Sequence, residues 1–266
     1  SVNMTRQESK VFEATEFPVE ETHDPRTERI TRTQLLSEHA TLSFLTTSIY
    51  HQLFQRFLKL EHSLGDGYYL IDSVGQPITD EMIQKLEKRL GEILEGDDEI
   101  KLGHSTRDEL ISNFRKEHLA DKLALLKTWP GDLIPVITCG EYIDYTLEPM
   151  STDKKRLKIF EMRAFSNGLI LRFPTLLQPW SLREWSEPTI FEMFQEYRDW
   201  AKLIDCDTVG KLNEIIYKRE LDDIKWVAEG LHEQKLARIA KHLTKRADKK
   251  RIVTIAGPSS SNKTTF

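Results

Sequence analysis

From Thr33 onward the apolar positions Leu35, Leu42, Leu45, Ile49 and Leu53 fall at steps of three, four and seven. That is the spacing of one helix face, and it predicts a long amphipathic helix to about Leu60. The pattern changes at Gly65, Asp66 and Gly67, which read as a turn feeding an aromatic β run at Tyr68, Tyr69 and Leu70. Thr79 ahead of Asp80 and Glu81 is an N-cap with two first-turn acids, and it opens a helix to about Leu94 in which Glu81 and Lys85 pair one turn apart. Residues 100–103 predict a short strand, and Ser105, Thr106 and Glu109 a helix begun by a capping box. A helical stretch over 119–128 ends at Trp129, Pro130 and Gly131.

The pattern then turns to strands over 133–138, 142–147, 157–164 and 169–173, the last two joined through Ser166, Asn167 and Gly168, a sequence suited to a hairpin turn. Helices and an antiparallel sheet in one stretch make an α+β domain over 33–175. Pro174, Pro179 and Pro188 punctuate a connector carrying Trp180 and Trp185, expected to pack with Trp200 between regions rather than stack on bases. Thr189 then caps a helix to about Ile204, a second helix covers 209–217, and a third covers 220–247. The third carries Leu221, Ile224, Ala228, Leu231, Leu236, Ile239 and Leu243, with its basic residues on the opposite face. Leu221, Ile224, Leu231 and Ile239 are expected to pack on protein while Lys241, Lys245 and Arg246 stay in water. Residues 1–32 lack apolar periodicity and read as an extended or disordered arm, and 176–250 as a helical linker region.

The chain has 266 residues, 39% hydrophobic and 30% charged, which suits a soluble two-domain protein without a membrane span. Its net charge of −5 predicts no general attraction to nucleic acid, but the charge is unevenly spread. Residues 8–28 are acidic, whereas Lys235, Arg238, Lys241, Lys245, Arg246, Lys249, Lys250 and Arg251 oppose Asp248 alone. That stripe is a solvated face or a contact for phosphates of RNA or of a nucleotide; Lys241, Lys245, Arg246, Lys249, Lys250 and Arg251 are its candidate nucleic-acid contacts. Two cysteines far apart, Cys139 and Cys206, imply a reducing compartment. The cytoplasm fits, or the mitochondrion if a transit peptide has been removed. Oligomeric state is not legible.

His39 on the first helix and Cys139 on a strand invite a test for a His-x-x-x-His plus Cys-x-x-x-His zinc site. Ser43 and Ile143 stand four residues after them, leaving two ligands where zinc takes three or four, so no bound zinc is expected. Asp66 and its tyrosines either face a ligand or form a tight turn over core aromatics.

The strongest chemical signal is the last run. Arg251 to Ala256 is short, apolar and β-rich, and it breaks at Gly257 and Pro258 into Ser259, Ser260, Ser261, Asn262, Lys263, Thr264, Thr265 and Phe266. Strand, loop, Lys-Thr is the order of a phosphate-binding loop, in which unhindered amides curl round an anion at a helix start, a lysine adds a point charge and a hydroxyl reaches Mg²⁺. Gly257, Lys263 and Thr264 hold their places, but Asn262 replaces the second glycine. Asparagine tolerates left-handed backbone after glycine, yet it sets a side chain against the phosphates.

Five stretches carry a resemblance: 41–45 (TLSFL), 62–69 (HSLGDGYY), 168–174 (GLILRFP), 228–237 (AEGLHEQKLA) and 255–266 (IAGPSSSNKTTF). Together they resemble the uridine kinase-like proteins of the phosphoribulokinase/uridine kinase family, in which a P-loop kinase core follows a module similar to the second, editing-associated domain of threonyl-tRNA synthetases. The resemblance implies a threonyl-tRNA synthetase-like α+β domain, a helical linker, and at 251–266 the first strand and loop of an α/β kinase core. It implies ATP-dependent phosphorylation of a nucleoside or similar small hydroxyl substrate, with ATP and Mg²⁺ as cofactors. Nucleotide would be held at Gly257, Ser259, Ser260, Ser261, Asn262, Lys263, Thr264 and Thr265, with Lys263 on the β- and γ-phosphates and Thr264 on Mg²⁺. Catalytic residues and substrate identity would lie beyond Phe266, and the small TGS domain usual in the family is not expected in the first 30 residues. The absent zinc-type ligands speak against editing hydrolysis. The rival reading is a non-catalytic kinase homologue serving as an RNA-binding or assembly subunit, and Asn262 separates the two.

Overall fold

The computed structural model describes residues 30–246 and 252–256. Helix α1 (Arg32–Phe54) starts where Thr31 accepts a hydrogen bond from the Gln34 amide at 3.1 Å, and stops at a left-handed Gln55. It ends earlier than its apolar face predicts. Leu58, Leu60 and Leu64 stand two and four apart, a strand's spacing, and form β1 (Leu58–Leu64), which pairs antiparallel with β2 (Gly67–Asp72) through a bulge between Leu60 and His62.

Helix α2 (Asp80–Glu95) is capped by Thr79, and strand β3 (Ile100–Thr106) runs straight into helix α3 (Arg107–Lys116), whose capping box pairs Thr106 with Glu109 as read from sequence. A short helix α4 (Ala120–Lys127) precedes the hairpin of β4 (Leu133–Cys139) and β5 (Tyr142–Tyr145). The strand expected over 157–164 is instead a 3-10 turn at Arg156–Lys158 followed by β6 (Glu161–Phe165). Leu157 is fully buried in the main cluster from that turn. Strand β7 (Gly168–Arg172) closes the hairpin with β6. The turn residue in left-handed conformation is Ser166; Gly168 is needed for a different reason, since a Cβ there would lie 2.3 Å from the Leu70 carbonyl oxygen.

The architecture is α+β with two antiparallel sheets, ordered β1-β2-β7-β6 and β3-β4-β5. Period-two alternation sorts the core. Leu169 and Leu171 of β7 face the main cluster with α1 and α2, while Ile170 faces a smaller one with Leu64, Tyr69, Trp185, Phe191 and Phe194. In the second sheet Ile137 and Cys139 join the main cluster, whereas Ile134 and Val136 pack on Leu110, Phe114 and Leu126 of α3 and α4.

Arg172 ties three segments together. Its guanidinium donates to both Asp66 oxygens at 2.9 Å, to Glu161, and to the Arg183 carbonyl at 2.5 Å, with the Trp185 ring 5.2 Å away. Asp66 is therefore the anion of a buried ion pair.

Three helices follow: α5 (Phe191–Leu203), α6 (Val209–Lys218) and α7 (Leu221–Thr244). Ile190, not Thr189, is the N-cap of α5, and it makes no side-chain cap bond. Leu221, Ile224 and Leu231 of α7 are only half-covered and Ile239 is exposed, so that stripe has no buried residue. Nor is the basic face wholly in water: Lys235 and Arg238 bind Glu196 of α5, and the Lys235 ammonium lies 5.1 Å from the Tyr197 ring and 5.5 Å from Trp200. Residues 252–256 have no strand partner among the described residues, and Ile252, Val253 and Ile255 are exposed.

His39 supplies a pH test of this packing. Its ring stacks on Phe173 at 4.2 Å and donates from Nε2 to the Pro174 carbonyl at 3.0 Å; burial holds its pKa below the usual 6.5, partly offset by that bond. The unfolded chain binds this proton more readily than the folded one, so stability falls as pH drops through 6.5 toward the lowered folded value. In melting curves taken across that window, His39→Gln should flatten the slope; an unchanged slope would remove His39 as its source.

Candidate functional site

A cleft of about 710 Å³ opens between α1, the β1–β2 hairpin, β5 and the start of α6. One wall is α1, whose helical spacing brings Ala40, Ser43, Phe44 and Thr47 to the same side. Ser43 Oγ is taken up by the His39 carbonyl at 3.0 Å. The loop after β5, carrying Thr146, Leu147, Glu148 and Met150, is pinned to α1 because Thr41 Oγ1 accepts the Ser151 amide at 2.9 Å. Strand β5 ends at Tyr145, short of the expected 147: the Thr146 amide still donates to Pro135 O at 2.9 Å, but Pro135 has no N–H to return the bond.

The centre of the cleft is an ion pair. Lys122 Nζ of α4 lies 2.6 Å from Asp144 Oδ2, and both side chains are largely buried. Desolvation raises the Asp144 carboxyl, and Lys122 and the Tyr145 amide, donating at 2.9 Å, oppose that rise. The ammonium also lies 5.3 Å from the Phe114 ring and 5.7 Å from Tyr145. Burial first, then the Asp144 charge, pushes the Tyr145 hydroxyl far above its ordinary value, so it stays a neutral donor. Tyr68 on the facing hairpin is raised by burial and then by Glu148.

Glu61, Asp121, Asp144, Glu148 and Asp207 outnumber Lys59 and Lys122 in the lining. Such a field favours an amine or other cationic group and disfavours free phosphates. With hydroxyls, two tyrosines and one fixed ion pair against an apolar floor, the arrangement is suited to holding a small polar molecule in one orientation.

The sequence reading singled out neither Lys122 nor Asp144. Its available signal was Asp144 itself, the one charged residue in the aromatic strand Tyr142–Tyr145. The expected site residues fall elsewhere. Lys241, Lys245 and Arg246 are exposed at the end of α7 and make no ion pair among the described residues. Lys249, Lys250, Arg251, Gly257, Ser259, Ser260, Ser261, Asn262, Lys263, Thr264 and Thr265 lie outside the described residues. His39 is spent on Phe173 and Pro174, and Cys139 lines a second cavity of about 570 Å³ with His51 and Glu117. Among the described residues no group of three or more His, Cys, Asp or Glu could hold a metal ion, and no helix is long and apolar enough to cross a membrane.

No protein-family model matches the chain. It is similar to threonine–tRNA ligases: 25% identical over 133 residues to that of Desulforamulus reducens, covering 49% of this chain and 21% of that protein. It is 26% identical over 148 residues to that of Aquifex aeolicus (54% and 23%), and 27% identical over 100 residues to that of Burkholderia mallei (37% and 16%). The chain thus spans less than a quarter of the length of these relatives. A threonyl-tRNA synthetase-like module is present, as the residues suggested; these names do not bear on the kinase-like expectation.

Proposed function

We propose that the chain is the ligand-sensing and phosphate-loop portion of an ATP-dependent phosphotransferase of the uridine kinase type, acting on a nucleoside or similar small hydroxyl substrate. The observation that carries the reading is the order of residues at the C-terminal end: an apolar β-branched run at Ile252, Val253 and Ile255, exposed and unpaired among the described residues, directly ahead of Gly257 and of Lys263-Thr264. An apolar run of this kind suits a strand of a parallel sheet once its neighbours are present.

Lys263 would hold the β- and γ-phosphates, backbone amides of 259–262 would surround them, and Thr264 would hold Mg²⁺ through its hydroxyl. The metal's contribution when bound is to neutralise charge on the transferring phosphoryl group. The donor set suits this role except at Asn262, whose side-chain carbonyl would add an acceptor near phosphate oxygens.

The cleft, in this reading, is a recognition chamber for a small amine-bearing molecule of the amino-acid class, a reading supported by its acidic lining and by relatives named for threonine and tRNA. Incubating the full-length protein with ATP labelled at the γ-phosphate and a panel of nucleosides should give labelled nucleotide. Lys263→Ala should reduce that label to background. Equal labelling by both proteins would overturn the reading.

One observation favours a second reading. Lys241, Lys245 and Arg246 are exposed and make no ion pair among the described residues, which suits a non-catalytic subunit that contacts RNA through this end of α7.

A further inference from the structure

The second cavity, of about 570 Å³, lies between the last turns of α1, helices α2 and α3, and the turn joining β4 to β5, and it shares no lining residue with the cleft. Two of its lining residues carry polar atoms that are shut off from water and that no protein atom satisfies, His51 Nδ1 and the Tyr142 hydroxyl. A buried polar atom without a partner is destabilising, so two on one cavity wall point to a molecule that completes them. Their rings are neighbours, with centroids 5.9 Å apart and planes inclined by 45°.

The hydrogen-bonding sense of each atom follows from its surroundings. The His51 ring stacks on Phe57 at 4.2 Å, and its Nε2 lies 3.3 Å from Glu117 Oε2. A carboxylate only accepts, so it favours the hydrogen on Nε2 and leaves Nδ1 a lone pair. Burial first, then the charges of Asp144 and Glu117, push the Tyr142 hydroxyl far above its ordinary value, so it keeps its proton and can donate. The cavity therefore offers an acceptor and a donor on adjoining rings, and a ligand that satisfies both carries a donor beside an acceptor.

The walls narrow the class further. Phe57, Ile93, Phe114, Leu119 and Ile143 are apolar, which suits a flat ring more than a sugar or polyol. Among the charged lining residues Asp98, Glu117 and Glu141 stand against Arg89 alone, and Arg89 is already shared between Glu92 at 3.4 Å and Asp98 at 3.7 Å. Neither a phosphate nor a carboxylate finds a free cation there. A lone water, whose share of volume is about 30 Å³, would leave most of the space empty. A flat, uncharged ring edged with adjacent donor and acceptor is a nucleobase.

We propose that this cavity binds an uncharged nucleoside, whose base donates to His51 Nδ1 and accepts from the Tyr142 hydroxyl along its pairing edge. The proposal stands on the cavity alone and holds whether or not residues 257–266 take part in phosphate transfer.

Titration of uridine into the full-length protein tests it, read at the methyl resonances of Ile93 and Ile143, which line this cavity and so report on it rather than on a site elsewhere. Uridine carries a ring N–H between two carbonyls, and in the wild type it should shift both methyls saturably. 3-Methyluridine, which has lost that donor, should bind at least about ten-fold more weakly, the scale of one hydrogen bond whose buried partner is left unmet. Uridine 5′-monophosphate should also bind more weakly than uridine, and Glu141→Lys, at an exposed position on the turn, should narrow that gap. Tyr142→Phe keeps the ring and removes the unpartnered hydroxyl, so without ligand it should melt no lower than wild type, yet it should bind uridine about ten-fold more weakly. A purely structural hydroxyl would behave in the opposite way, its loss lowering the melting temperature and leaving uridine affinity unchanged. Absence of a uridine-induced shift at Ile93 and Ile143, equal affinity for uridine and 3-methyluridine, or wild-type affinity in Tyr142→Phe would each overturn the proposal.

Discussion

Replacing Arg172 with methionine should lower the unfolding free energy by about 3–5 kcal/mol, the cost of removing one partner from a buried ion pair. Its side chain is 3% exposed, and Asp66 is 11% exposed. Methionine matches the length of the arginine stem but leaves the Asp66 carboxylate and the Glu161 oxygen without their main donor. The loss is mechanical as well as electrostatic, because the guanidinium joins the β1–β2 turn, strand β6 and the connector at Arg183. Arg172→Lys keeps the charge but not the planar fork, and should cost about 1–3 kcal/mol, the range for charge-assisted hydrogen bonds lost one at a time. Urea denaturation of the three proteins reads both values. A methionine variant as stable as wild type would mean that Asp66 and Glu161 find other partners, and Asp66 would again be free to serve a ligand.

What the sequence made legible is mostly what its chemistry decides within a few residues. The α3 capping box of Thr106 and Glu109, the Thr79 cap of α2 and the tight β6–β7 hairpin all depend on neighbours in the chain, and all are found. Strand β1 was hidden because Leu58 and Leu60 continue an apolar series that begins in a helix; only Gln55, left-handed, marks the break, and nothing in its side chain announces it. Leu157 misled in the opposite way, an apolar residue beside a strand that reaches the core from a 3-10 turn. In α7 a correct helical stripe overstated burial, since periodicity says which residues share a face and not what covers it.

The cleft was illegible for a related reason. Lys122 and Asp144 are 22 residues apart, on elements that meet only because the β4–β5 hairpin folds back over α4. Likewise Gly210 and Ala124 come together through the path of the whole connector, and neither residue is unusual in isolation. The proposed phosphate loop is the converse case, a reading that rests on a local motif alone.

That loop also gives the measurement closest to the central proposal, titration of ATP–Mg²⁺ into full-length wild type, Asn262→Gly and Lys263→Ala, followed by calorimetry. Glycine at 262 would let the loop amides approach the phosphates, whereas in the proposed loop an asparagine side chain would obstruct that approach and add a carbonyl oxygen near negative charge. Wild type should therefore bind weakly, and Asn262→Gly should tighten binding by about 1–2 kcal/mol, roughly five- to thirty-fold, the scale of relieving a strained or obstructed backbone site. Lys263→Ala should abolish detectable binding, because Lys263 is the one cation within residues 252–266. Weak binding that Asn262→Gly strengthens and Lys263→Ala removes is the predicted result; no heat in the wild type, and none restored by glycine, would contradict it and leave the RNA-contacting, non-catalytic subunit as the better account.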